Sequence, residues 1–268
     1  VAAQARSVAQ APARAPGDPM TATLRRAGTV TSLDRIAAVI APPEGSRQDP
    51  LRGLGVRHLV VQPRDMGTAY EVLLALLSLE TRLSASTTVL FLPGDFVVDD
   101  EEVMTNSLMS MAEWISDDPG QVYLLGAVAQ GPHDQLGYIV PWNDAMLMPT
   151  SVYEFVERPD VYRARKLIQA GGLWNTFIFG ASVASLIQLF RPEFDTAMTG
   201  MRAALRSDTP ELNLARTYDG LTPADFSRDV LARQTDNLRV LRLLRCGWWP
   251  LKSPNPTERG GSGLRRMN

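Results

Sequence analysis

A chain of 268 residues, 45% hydrophobic and 21% charged, can bury one large core or two modest ones. Its formal net charge of -2 offers no field for nucleic acid, its single cysteine no disulfide framework, and its two histidines no histidine-rich metal site. No apolar run approaches the roughly 18 residues that span a bilayer, so a cytoplasmic protein without a membrane partner is the expectation.

The opening stretch VAAQARSVAQAPARAPGDP has no periodic apolar face and no unbroken apolar segment of the signal-peptide kind. Residues 1–19 read as a disordered arm. The chain opens on Val rather than Met, so an incomplete N-terminus is one expectation. From there short apolar runs alternate with amphipathic ones. RIAAVIAP (35 to 42) and VRHLVVQP (56 to 63) read as buried strands stopped by proline. GTAYEVLLALLSLETRL (67 to 83) has helical spacing with Gly67 and Thr68 at its start. TTVLFLPGD (87 to 95) is a strand ending in a turn, and the segment from 99 to 118 begins with four acids that suit the positive end of a helix. QVYLLGAV (121 to 128) is the next strand. Strand and helix in alternation predict an α/β fold: a Rossmann-like, mostly parallel sheet with flanking helices and a small antiparallel insertion at about 137 to 180. One domain from 20 to 252 is expected, followed by a flexible tail, 253–268. Ligands of such sheets bind beyond the carboxyl ends of the strands, so the strand exits are the places to search.

Asp95 leaves one such strand. A carboxylate there suits magnesium, although Pro-Gly-Asp is turn chemistry in its own right. Gln62 leaves another, where a side-chain amide could pair with a nucleobase and Gly67 would let backbone approach a ring; an ordinary strand-turn-helix junction explains the same letters. Glu157 and Arg158 suit sugar hydroxyls and phosphate, or form a surface ion pair. GGLWNT (171 to 176) sets an indole and a bare amide behind two glycines. Trp174 could simply cover a strand, or Asn175 could read a hydroxylated ligand at a strand mouth.

The order of QPRDMGTA, LPGDFVVDD, LGYIVP, FVERPD, GGLWNTFIF and ADFSRDVL resembles the sugar-phosphate nucleotidyltransferases, and most the mannose-1-phosphate guanylyltransferases, over roughly residues 22 to 250. Typical members read QP-x-N-R-G-T-A, L-P-A-D-H, G-Y-I, F-V-E-K-P and G-x-W-N-S-G-I-F at matching places. The resemblance implies transfer of GMP from GTP to mannose 1-phosphate, giving GDP-mannose and pyrophosphate, with Mg2+ as cofactor. It places Gln62, Gly67 and Thr68 at the nucleotide, Asp95 at the metal, Gly137, Glu157 and Asn175 at the sugar, and Arg158 where the family has a phosphate-binding lysine. A homo-oligomer is left open.

The departures fall on the phosphate chemistry. The family's G-G-x-G-x-R-L loop, whose amides cradle a triphosphate, has no counterpart before Thr21, and GGSGLRR (260 to 266) reads as tail. CGWWPLKSP carries Pro250 where the family has a second metal-binding aspartate, Phe96 replaces the histidine of L-P-A-D-H, and Thr176-Phe177 replaces a small pair. These changes predict impaired or truncated catalysis. The alternative is a catalytically inactive relative that binds a sugar nucleotide or a protein partner.

Overall fold

The computed structural model describes residues 19–40, 51, 53, 55–143 and 148–251. The arm before residue 19, the tail from 252 and the GGSGLRR stretch lie outside the described residues.

The first described element is a helix that alternation of strands did not predict. α1 (Pro19–Val30) starts on proline, whose fixed φ and missing N–H suit a first helical position. It carries the buried Arg26, whose Nε and Nη2 donate to the two oxygens of Glu101 at 2.7 and 2.8 Å, with the guanidinium 4.5 Å above the Phe96 ring. Two short parallel strands follow, β1 (Ala37–Ile40) and β2 (His58–Val61). α2 (Thr68–Glu80) is apolar nearly all round, and its residues Ala69, Tyr70 and Val72 to Leu77 are buried. β3 (Thr88–Phe91) and the two-residue β4 (Phe96–Val97) lead into α3 (Glu101–Asp117). There Asp100 caps the helix by accepting from the N–H groups of Glu102 and Val103 at 3.1 and 3.0 Å. Met104, Leu108, Met111 and Ile115 then lie on one buried face, as their spacing of four and three requires.

β5 (Val122–Val128) shows why a central strand reads as an unbroken apolar run. Val122 and Leu124 join the core under α2, whereas Tyr123, Leu125 and Ala127 join the core under α3, so both faces of the strand are covered. β6 (Tyr138–Pro141), β7 (Thr150–Val156), α4 (Val161–Gln169) and β8 (Leu173–Ser182) complete the middle of the chain. A 23-residue helix, α5 (Val183–Leu205), then α6 (Pro210–Asp219), the one-turn α7 (Phe226–Asp229), β9 (Leu238–Leu243) and β10 (Trp249–Pro250) follow.

The principal sheet has the order β3-β8-β5-β9-β7-β6, and β6 also pairs with β8. The α/β class with an antiparallel portion is as expected, but the antiparallel share exceeds what the sequence suggests. Among the described pairings only β1 with β2 and β5 with β9 are parallel. The cause is β8, which lies between β3 and β5 and runs antiparallel to both. Alternation of strands and helices reveals a crossover from β3 to β5; it does not reveal a later strand that slips between them.

Trp174 belongs to this architecture. It is 2% exposed, its indole N–H donates to the Tyr138 hydroxyl at 3.1 Å, and its ring meets Trp249 edge to face at 5.7 Å. Trp174→Ala is therefore expected to cost about 3–5 kcal/mol, read as a lower midpoint in urea unfolding.

Candidate functional site

β8 contains a wide irregularity. Leu124 of β5 faces Phe179, yet Gly126 faces Asn175, so β8 carries more residues than its partner across this span. Thr176 ties the bulge down by donating to the Leu125 carbonyl at 2.5 Å, and Phe177 sits at φ 59, a conformation that is costly for an aromatic residue. The Asn175 side chain accounts for the shape: its Oδ1 accepts from the Phe177 N–H at 3.1 Å. Among the described residues the other non-glycine residue at positive φ is Arg158, at 47. Both strained positions flank candidate site residues, Glu157 on one side and Asn175 on the other, as strain at functional places tends to do.

Gly137, Glu157 and Asn175, predicted from three separate motifs, come together. The Asn175 backbone N–H donates to the Gly137 carbonyl at 2.8 Å. A Cβ at position 137 would lie 2.4 Å from Glu157 Oε2 and 3.2 Å from Asn175 Cβ, so only glycine lets these two side chains pack this close to the backbone. Glu157 Oε2 is buried without a hydrogen-bond partner. Its other oxygen meets the Arg158 Nε at 3.5 Å, while most of the Arg158 side chain is exposed. Burial, and next the charge of Asp225, push the Glu157 carboxyl up to about 7; Arg158, Ser227 and Arg228 oppose the rise.

Sequence reading missed two members of this cluster. Ser227, 3% exposed, accepts from Asn175 Nδ2 at 3.2 Å, and Asp225 caps the helix that carries it by accepting from the Arg228 N–H. Both stand in the quoted ADFSRDVL stretch, but only the long-range pairing with β8 marks them.

The residues predicted to meet a nucleobase have other work. Gln62 has no exposed surface; oriented to suit its neighbours, its amide donates to the Arg64 carbonyl and accepts from the Glu71 N–H, both at 2.9 Å. It thus caps the first turn of α2. The Thr68 hydroxyl accepts from the Phe226 N–H at 2.9 Å. Gly67 lies at φ 89, and a Cβ there would come within 2.3 Å of the Ala224 carbonyl oxygen. These bonds form a strand-turn-helix junction, in which Gln62 holds the first turn of α2 while Gly67 and Thr68 meet the segment that opens α7.

Asp95 lies at the same end of the sheet as Asn175. β3 and β8 are antiparallel with Phe91 opposite Phe179, and both residues lie beyond that pair. α1 buttresses the Asp95 turn: Thr23 donates to the Pro93 carbonyl at 3.1 Å, and Met20 covers Gly94. The β4–β10 ribbon sets Pro250 opposite Phe96, and the Leu251 N–H donates to the Asp95 carbonyl at 2.8 Å. Proline therefore stands beside Asp95, and among the described residues no three His, Cys, Asp or Glu side chains group so as to hold a metal.

Cys246 is buried, and burial pushes its thiol up to about 11, which removes it as a nucleophile near neutral pH. A hollow of about 340 Å³ lined by Trp142, Asn143, Gly171 and Arg242 opens elsewhere and includes none of the predicted site residues. Among the described residues no helix is long and apolar enough to cross a membrane.

No protein-family model matches the chain. It is 32% identical over 204 residues to the alginate biosynthesis protein AlgA of Pseudomonas aeruginosa, covering 74% of this chain and 41% of that protein. It is 30% identical over 143 residues to a mannose-1-phosphate guanylyltransferase of Klebsiella pneumoniae, covering 51% of this chain and 30% of that one. The chain thus spans less than half the length of these curated relatives. In structure it resembles a Thermus thermophilus protein described as a mannose-1-phosphate geranyltransferase, with TM-score 0.73 and 24% identity over 86% of this chain and 65% of that one.

Proposed function

From a chain that is homologous, over part of their length, to mannose-1-phosphate guanylyltransferases and that has the fold of sugar-phosphate nucleotidyltransferases, we propose a protein that seats a hexose phosphate and serves nucleotidyl transfer. In its finer form the reaction is that of GTP with mannose 1-phosphate. The observation that carries the reading is the corner made by Gly137, Glu157 and Asn175. There a buried carboxylate oxygen without a partner and the Asn175 amide nitrogen close on a backbone position that carries no side chain of its own. A carboxylate that accepts and an amide that donates suit sugar hydroxyls, which do both.

In the proposed chemistry a phosphate oxygen of the sugar phosphate attacks the α-phosphorus of the nucleotide. One phosphorus–oxygen bond forms, and the bond to the β-phosphate breaks with its electron pair leaving on pyrophosphate. No protein nucleophile and no protein proton is required, so positioning and charge carry the rate. Glu157 and Asn175 would orient the sugar, and the exposed guanidinium of Arg158 would meet its phosphate. A divalent cation would supply charge neutralisation as part of the incoming nucleotide, with Asp95 the carboxylate on that side. Base contacts fall to groups other than the Gln62 amide, which is spent within its own turn.

A second reading is binding without turnover. Pro250 beside Asp95 favours it, because the ribbon puts an apolar ring where a second carboxylate would help hold a phosphate-bound cation. Pyrophosphate release from GTP and mannose 1-phosphate separates the two. Turnover above that of an Arg158→Ala variant supports transfer; GDP-mannose binding with equal background in both supports the binding protein. Gly137→Ala is expected to weaken GDP-mannose binding more than about tenfold, because its Cβ displaces Glu157 and Asn175 together, with the thermal midpoint changed by only a few degrees.

A further inference from the structure

Asn175 and Glu157 belong to different strand ends, and Asn175 is bonded to the side chain of Ser227. Ser227 is 3% exposed and enters from α7. Because Asn175 Oδ1 accepts from the Phe177 N–H and Nδ2 donates to Ser227 Oγ, the amide can turn neither way, and its nitrogen, which keeps a second N–H, lies within 3.5 Å of where a Cβ on Gly137 would stand. A hydroxyl that accepts from Asn175 keeps its own proton to give, and the Glu157 carboxyl is the acidic group beside it.

We propose that Ser227 is a positioning residue that fixes Asn175 as a donor and Glu157 as an acceptor, so that the site selects a ligand with two neighbouring hydroxyls of a sugar ring. This deepens the hexose-phosphate reading above and rests on it for the identity of the ligand. The device extends beyond the site. α7 is fastened by the Phe226 N–H to Thr68 and by the contact of Gly67 with Ala224, so the turn that opens α2 determines where Ser227 stands. The charged groups that act on Glu157 are Asp225 and Arg228 from α7 and Arg158 from its own segment. Loss of the Ser227 proton donor removes one of the influences that favour the ionised carboxylate, while those of Arg158 and Arg228 remain.

The test is Ser227→Ala, read in two ways. In ligand-free protein the Glu157 carboxyl carbon is followed by NMR against pH, with thermal melting to establish folding. Its midpoint is expected to move upward in the variant; an unchanged midpoint in a folded variant overturns the proposal, since a purely structural serine would lower the melting temperature without moving this titration. Should Ser227→Ala fail to fold, Asn175→Ala is read instead. It removes the donor to Ser227 without adding a charge, and a Glu157 midpoint that does not respond to this change overturns the coupling. The second readout is GDP-mannose affinity at pH 8, expected to fall about five- to tenfold for the loss of one hydrogen bond and its alignment. If the wild-type protein binds no sugar phosphate or sugar nucleotide, the hexose reading fails. The carboxyl titration, measured without ligand, then still decides whether Ser227 sets the polarity of the corner.

Discussion

Glu157→Gln is expected to make the protein more stable at pH 8 while removing its capacity to hold the sugar. The reasoning begins with the carboxyl itself. Burial and Asp225 push it from 4.5 to about 7, so between those values the folded chain retains a proton that the unfolded chain has released. A raised carboxyl pKa therefore subtracts stability as pH rises through this window, and above 7 the full cost of burying the charge is present. At about 1.4 kcal/mol per unit that cost is on the order of 3 kcal/mol, and a glutamine, neutral throughout, should recover about 2 kcal/mol of it. For a chain of this size the gain corresponds to roughly 4–8 °C in melting temperature. Well below pH 4.5 both side chains are neutral, and the difference should vanish. Differential scanning fluorimetry at pH 4 and pH 8 checks it; a variant equal to or less stable than wild type at pH 8 contradicts the placement of this carboxyl.

Gly67→Ala should produce the largest loss of stability among the glycine substitutions considered. Gly67 precedes α2 at φ 89 and ψ 168, a region closed to residues with a Cβ. Its Cβ would also sit 2.3 Å from a backbone oxygen, that of Ala224, which cannot swing aside as a flexible side chain can. The two segments are laced by the Ala69 N–H to the Ala224 carbonyl at 3.2 Å and by the Ala224 N–H to the Met66 carbonyl at 3.0 Å, so relief of the clash breaks these bonds too. Backbone strain of about 1–2 kcal/mol and overpacking of about 1–3 kcal/mol predict a loss of about 3 kcal/mol or more. Urea unfolding should register it as a lower midpoint with little change in slope. Were Gly67 present only to admit a nucleobase, the substitution would weaken nucleotide binding and leave unfolding untouched.

These two residues also mark how far the sequence could be read. Glu157, Gly137 and Asn175 were legible because each stands in a short motif with its own chemistry, and the sheet brings those motifs to one corner. Gln62, Gly67 and Thr68 were legible as a motif but not as a structure. Their letters suit both a base site and a junction, and the choice depends on Ala224 and Phe226, more than 150 positions away. Ser227 escaped notice for the same reason. The main strands and helices between residues 35 and 128 followed from apolar runs and their stops; the position of β8 between β3 and β5 did not, because strand order is set by packing that no local pattern records. α1 was hidden by its composition, since its buried face includes Thr23 and Arg26, and the latter is tolerated inside only because Glu101 pairs with it through two bonds.

The account turns on the corner at Gly137, where Glu157 and Asn175 would hold the sugar of a sugar nucleotide. Isothermal titration of GDP-mannose into wild-type protein and into Asn175→Ala at pH 8 tests it most directly. One ligand per chain, bound more than about tenfold weaker by the variant while both proteins melt alike within a few degrees, is the predicted result. Equal affinity in the two proteins, or no binding by the wild type, would contradict it.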